Sequence, residues 1–300
     1  MMRAPLVISI YNRLEHLKRC VASLKADPLA GETDLFVVSD APYIEAHRKM
    51  IEEVRAYVPT IEGFHSVHLI AWKENKGSTK SITDARAQVL EQYETLIFME
   101  DDNIVSPHFL TYLNEGLEKY RDDPHVYCIC GYNYNMPIPK DYPYDCYFIY
   151  SISAYGYGVW REKYNNFYSD YKVPNFRSKI YRLFSRRLNQ PAFFMKRMMK
   201  QGKIWGDVRV TYYLYSHNMV CLFPCHSLVL NTGYDNSGEH SGKMRLMQQD
   251  IAKSGAVEKF PPTCEIYPQW EKALSLYFKY PWWKRMKTTL YDWVQAHKKR

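Results

Sequence analysis

The feature that most constrains this chain is the alternation of short apolar runs with helical patterns over residues 5–132. PLVISIY (5–11), DLFVVSD (34–40), SVHLIAW (66–72), TLIFMEDD (95–102) and VYCICGY (126–132) have strand length and are rich in branched and aromatic side chains. Between them lie helical patterns. Leu14, Leu17, Val21 and Leu24 recur at a spacing of three to four, residues 44–58 end at Pro59, and 81–93 form a third helix. A fourth helix is predicted to run to about Tyr120 from Ser106 as N-cap and Pro107 as N1. Short strand–helix alternation predicts an α/β fold, a mostly parallel central sheet covered by helices on both faces. Ligands of such sheets bind at the carboxyl ends of the strands. Asp40, residues 75–78 and residues 100–102 all fall at such ends.

The 300 residues suffice for one large domain or two small ones with an ordinary core. Hydrophobic residues at 46% and charged residues at 24% exclude a disordered or collagenous chain. No run approaches the roughly 20 apolar residues of a membrane-spanning helix. The first apolar run, broken at Asn12 and Arg13, is too short for a signal-peptide core and reads as a strand. Seven cysteines, an odd number, argue against a disulfide framework. Cys221, Cys225 and His226 lack a second cluster at zinc spacing, so they read as buried thiols of a reducing, cytoplasmic compartment. The net charge of +8 favours anionic partners, and the 27 tyrosines suit stacking on sugars or bases, or a membrane interface.

The sharpest chemical signal is Glu100-Asp101-Asp102 at the exit of the fourth strand. Three adjacent acids repel one another unless a cation sits there. Carboxylates suit Mg²⁺ or Mn²⁺ bound together with substrate phosphates; acids of a solvated turn or a helix start are the plain alternative.

At these residues the chain resembles a known family. PLVISIYNRLEHLKRCVASL, VVSDAP, ENKGSTKSI and LIFMEDDNIVSPHFLTYLN, in that order, are similar to GT-A glycosyltransferases, the Rossmann-like nucleotide-diphospho-sugar transferases. They resemble bacterial family 2-like sugar transferases of surface polysaccharide synthesis and the N-acetylglucosaminyltransferase I family. DPHVYCICGYN (123–133), the tripeptide 205–207 and NTGYDNSGEHSG (231–242) extend the resemblance over residues 4–242.

The resemblance implies a metal-dependent, inverting transfer of a sugar from a nucleotide-diphosphate donor, UDP-linked, to a hydroxyl of a glycan or lipid-linked acceptor. It makes Asp102 a metal ligand, with His240 near the metal or diphosphate. Asp101 would hold the ribose or a metal-bound water, and Glu100 the sugar hydroxyls. Asp40 would meet uracil or ribose, unless it only caps a turn. Tyr11 and Arg13 would meet nucleotide or diphosphate, unless Arg13 is a surface charge. Asn75, Gly77 and Lys80 sit where a glycine and a helix start favour a phosphate, or where a helix is simply capped. Asp207 would be the catalytic base, since an attacking hydroxyl must lose its proton; a helix-start aspartate is the alternative. Gly206 stands where the relatives carry a second Asp. Residues 155–160 resemble the acceptor side, or are core.

The implied division is a GT-A domain over 1–245, with a nucleotide-sugar half (1–133) and an acceptor and catalytic half (134–245). A helical, basic and aromatic extension follows over 246–300. From Lys172 to Lys203 there are ten basic residues and no acid. A solvated face, an anionic lipid or lipid-diphosphate site and a nucleic-acid site compete for that run; nucleic acid is the least expected. Trp282, Met286, Leu290 and Trp293 recur at helical spacing among Lys and Arg, as in a helix lying on an anionic membrane or docking on the core. The expected location is therefore the cytoplasm, with peripheral contact at the inner face of the plasma membrane. Two other functions stay open. A sugar nucleotidyltransferase would need a Gly-rich first loop, which YNRLEHLKR lacks. A noncatalytic carbohydrate- or RNA-binding protein would tolerate loss of Asp102 and Asp207.

Overall fold

The computed structural model describes residues 3–202, 206–233, 249–251 and 255–298, the last four by backbone alone. The five anticipated strands are all present: β1 (Leu6–Ile10), β2 (Asp34–Ser39), β3 (Ser66–Ala71), β4 (Thr95–Glu100) and, after the short β5 (Asn103–Val105), β6 (Val126–Cys130). The second half adds β7 (Cys146–Ile149), β8 (Tyr157–Trp160), β9 (Val220–Pro224) and β10 (Val229–Asn231). Eight of these form one sheet in the order β3-β2-β1-β4-β8-β6-β9-β7, while β5 and β10 pair separately. The first four strands are parallel, as expected. β8 runs antiparallel between β4 and β6, and β7 antiparallel at the far edge.

The helices are α1 (Leu14–Leu24), α2 (Arg48–Tyr57), α3 (Ser78–Leu90), α4 (Phe109–Lys119), α5 (Arg161–Asp170), α6 (Lys179–Arg187), α7 (Asn189–Lys200), α8 (Gly206–His217), α9 (Pro268–Tyr277) and α10 (Trp282–Lys298). Strand alternation splits the core in two. Leu6, Ile8, Ile97 and Met99 join one cluster with α1, α2 and α4, while Val7, Leu96 and Phe98 join another with α3 and the later helices. Because both faces are covered, β1 and β4 are apolar at nearly every position.

α4 starts at Phe109, not at Pro107. The predicted cap residue Ser106 is buried, and Asp27 instead supplies the carboxylate. It accepts from the backbone N–H of Leu110 at 2.7 Å and Thr111 at 3.2 Å. A long-range acid thus replaces a local cap, which no local pattern announces. α3 begins three residues earlier than predicted because Gly77, at φ 74°, turns the chain into the helix.

The C-terminal extension divides in its packing. Residues 255–278 are built onto the sheet. Trp270 is fully buried and stacks on Tyr147 of β7, with ring centroids 3.7 Å apart. Asp145 accepts from the backbone N–H of Glu258 and Lys259, and Tyr120 donates to the carbonyl of Pro261. Through α9 the extension thus packs with the sheet, while residue 245 lies outside the described residues. No helix among the described residues is long and apolar enough to cross a membrane.

Candidate active site

The parallel register brings the ends of β1 and β4 side by side, with Ser9 opposite Glu100. The next residues on each strand then meet. Arg13 donates from Nη2 to Oδ1 of Asp101 at 2.5 Å and from Nε to Oδ2 at 3.1 Å. Its Nη2 also reaches Oδ2 of Asp102 at 3.1 Å. Asp101 and Asp102 are buried and Arg13 is only partly exposed, so these are charge-assisted bonds in a poorly solvated place.

The positive charge does not balance the acids. Burial pushes Glu100 up to about 7, and the charges of Asp102, Asp101 and Asp207 add to that rise against Arg13. Burial likewise pushes Asp101 up to about 6, although Arg13 pulls it down. Asp207 lies in the first turn of α8. Its side chain is open to solvent, yet crowding by the surrounding protein raises its pKa. The structure therefore brings Asp207 within electrostatic reach of the β4 acids.

Asp102 is held from a third direction. β5 and β10 pair antiparallel, Asn103 opposite Asn231. Asn231 donates from Nδ2 to Oδ1 of Asp102 at 2.8 Å and to Oδ1 of Asn103 at 2.9 Å. The backbone N–H and the hydroxyl of Thr232 both donate to the Asp102 carbonyl. Gly233 lies so close that a Cβ there would stand 2.3 Å from Oδ2 of Asp102. The Gly-rich segment that starts at Asn231 thus begins against the last acid. His240 lies outside the described residues.

Other predicted residues are placed by their own partners. Asp40 is buried at the end of β2, where Oδ1 accepts from the N–H of Ala41 at 2.9 Å and Lys76 at 3.0 Å. Asn75 donates to the Ala41 carbonyl at 2.7 Å. Asp40 and Asn75 therefore tie the β2 and β3 exits together. Tyr11 takes part in a hydrogen bond with Nδ1 of His47 at 2.9 Å and accepts from the N–H of Tyr43. Lys80 is exposed and pairs with Asp84 at 3.0 Å, which Lys76 also reaches at 2.7 Å. The structure thus joins Arg13, Glu100, Asp101, Asp102 and Asp207 in one cluster, and Asp40, Asn75, Lys76 and Gly77 in a neighbouring turn.

Residues 155–160 settle on the core side. Tyr157 and Trp160 are buried, and Tyr157 bonds to Arg86, whose guanidinium lies over Phe98. Three residues that the sequence did not single out complete the picture. Asn231 and Thr232 position Asp102. Arg55 donates to the carbonyls of Ser39, Asp40 and Trp72, clasping the ends of β2 and β3. An Asn ending a short strand, or an Arg within a helix, carries no local sign of such a role.

A mostly parallel sheet with acids at the exit of its fourth strand, facing a helix-start carboxylate, defines a nucleotide-sugar type of α/β enzyme fold. The family model of glycosyl transferase family 2 matches residues 6–193. The chain belongs to that family. Its sequence has no match among curated proteins. Among solved structures it is similar to S. aureus TarS 1–349, 12% identical over 77% of this chain and 61% of that one, with a TM-score of 0.44. It is also similar to GalNAc-T7 with UDP, GalNAc and Mn²⁺, 11% identical over 75% of this chain and 42% of that one, with a TM-score of 0.46. The chain spans less than two thirds of the length of either.

Proposed function

We propose that this chain is a metal-dependent, inverting glycosyltransferase. It moves a sugar from a UDP-linked donor to a hydroxyl of a glycan or lipid-linked acceptor, in surface polysaccharide synthesis at the cytoplasmic side. The observation that carries the reading is the charge deficit at the β4 exit. Glu100, Asp101, Asp102 and Asp207 share one neighbourhood, and Arg13 is the cation bonded to two of them.

That deficit is also the test of fit for a divalent ion. The donor set is hard carboxylate oxygen, suited to Mn²⁺ or Mg²⁺. Among the described residues one Arg bonds to the acids and leaves them short of positive charge, so an ion is accommodated. Asp102 would hold it, because Asn231 fixes its carboxylate while its lone pairs are not exhausted. When bound, the ion stabilises charge gathering on the diphosphate leaving group.

The chain's own residues do the rest. Arg13 holds the carboxylates of Asp101 and Asp102 in place by hydrogen bonds. Glu100, pushed up to about 7 by burial, presents a carboxyl able to donate to or accept from a sugar hydroxyl. Asp207 takes the proton of the acceptor hydroxyl at its carboxylate oxygen, and its raised pKa makes it a better base than a free aspartate. The new glycosidic bond forms as the bond to the diphosphate breaks, in one displacement. The turn at Asp40, Asn75 and Gly77 borders the nucleotide side.

Asp207→Asn separates the steps. With UDP-sugars and an acceptor, UDP release should fall by about 10²–10⁴-fold, while donor affinity measured without acceptor stays unchanged. Full turnover in this variant would remove Asp207 as the base.

A further inference from the structure

α10 is docked the wrong way round for a core helix. Its polar side faces the protein. Asp292 accepts both Nε and Nη2 of Arg197 on α7, each at 2.6 Å. Thr288 shares a 2.8 Å hydrogen bond with the Tyr280 hydroxyl. Arg285 donates to the Tyr280 carbonyl at 3.1 Å and lies over Phe193 of α7. At 100° per residue, Arg285, Thr288 and Asp292 share one side of the helix.

The opposite side holds Trp282, Trp283, Met286, Leu290 and Trp293, all exposed, with Trp282 exposed to 72%. Lys284 and Lys287 flank this stripe and are exposed too. An apolar stripe of this size is not left in water without a use. The bidentate Arg197–Asp292 pair fixes the rotation of the helix, so the stripe cannot turn inward without breaking it.

The support beneath is basic. Lys196 and Lys200 on α7 lie on either side of Arg197 in sequence and are exposed. α6 packs on α7 and exposes Lys179, Arg182 and Arg186 together with Ile180 and Leu183. Within these two helices only Arg187 and Arg197 form an ion pair with a described acid. Apolar, Trp-rich side chains among unneutralised cations match an anionic lipid interface, where rings enter the headgroup layer and cations meet phosphates.

We infer that α10, held by the Arg197–Asp292 clamp, is an interfacial helix that docks the enzyme on an anionic lipid bilayer. Its apolar stripe enters the membrane, and the cations of α6, α7 and α10 hold the surface. The next helix after α7 is α8, whose second residue is Asp207, so the docked face and that carboxyl are linked by a short stretch of chain.

The test is flotation of the whole chain with vesicles of phosphatidylcholine alone and with one quarter phosphatidylglycerol. The wild type should float with the anionic vesicles, less so at high salt, and its tryptophan emission should shift to the blue. Trp282→Ser/Met286→Ser/Leu290→Ser should weaken partitioning by at least about tenfold. Lys196→Gln/Lys200→Gln/Lys284→Gln/Lys287→Gln should remove most of the preference for anionic lipid. These side chains are exposed, so circular dichroism should report folded variants. A wild type that stays with neither vesicle overturns the inference, as does a triple variant that floats equally well. A wild-type dimer in sedimentation that the triple variant dissociates would also overturn it, since a second copy would then cover the stripe.

Discussion

Asp102 shows how closely single residues set this site. Its carboxylate is bonded by Asn231 and Arg13, and its backbone carbonyl by Thr232, while Gly233 leaves no room for a methyl group beside Oδ2. Gly233→Ala must therefore move the carboxylate or the loop. A displacement near 1 Å at a reacting centre costs about 10²-fold in rate. The variant should lose about that much turnover with a melting temperature close to wild type. Wild-type turnover from Gly233→Ala would mean that the Asp102 position is not critical. The acids themselves were legible, because three carboxylates closing an apolar strand have few other uses. Arg13 was legible as a functional position but not in its role. Its partners lie 88 and 89 residues away, and only strand register brings them together.

Elements were legible where periodicity is strong and less so at their ends. β1 to β4 and α1 follow from apolar spacing alone. The start of α4 does not, because Asp27 caps it from a distant loop. The sheet also carries an element-scale acid sensor. Asp34, opening β2, is opposed by burial, but bonds from Ser66, His65 and Tyr93 outweigh this and hold its pKa below the ordinary value. Tyr93 donates to it at 2.8 Å. A depressed folded-state pKa means that the charged form stabilises the fold. That contribution is present above the unfolded value of about 4 and is lost as pH falls through the folded value. Between pH 7 and pH 3, Asp34→Asn should lose less stability than the wild type in urea titrations. Equal losses would show that Asp34 does not couple the β2 and β3 ends to pH.

At the scale of the whole molecule, the sheet joins what the sequence separates. β8 enters between β4 and β6 from the second half, and β9 and β7 extend the sheet, so both halves share one framework. Sequence alternation could not reveal that insertion, since a strand of four residues is too short to show a period or a direction. The site likewise depends on four elements: the ends of β1 and β4, the β10 exit, and the start of α8. The buried stack of Trp270 on Tyr147 ties the C-terminal segment to the same framework. Trp270, Ala273, Leu274 and Tyr277 recur at helical spacing, but the partner that buries the ring lies more than a hundred residues away in sequence.

The central claim is that the acids closing β4 bind a nucleoside diphosphate through a divalent ion held by Asp102. Titration calorimetry with UDP, with and without Mn²⁺, on the wild type and on Asp102→Asn tests it most directly. The account predicts binding by the wild type that requires Mn²⁺, and loss of that binding in the variant. UDP binding that is indifferent to Mn²⁺, or retained in full by Asp102→Asn, would contradict it.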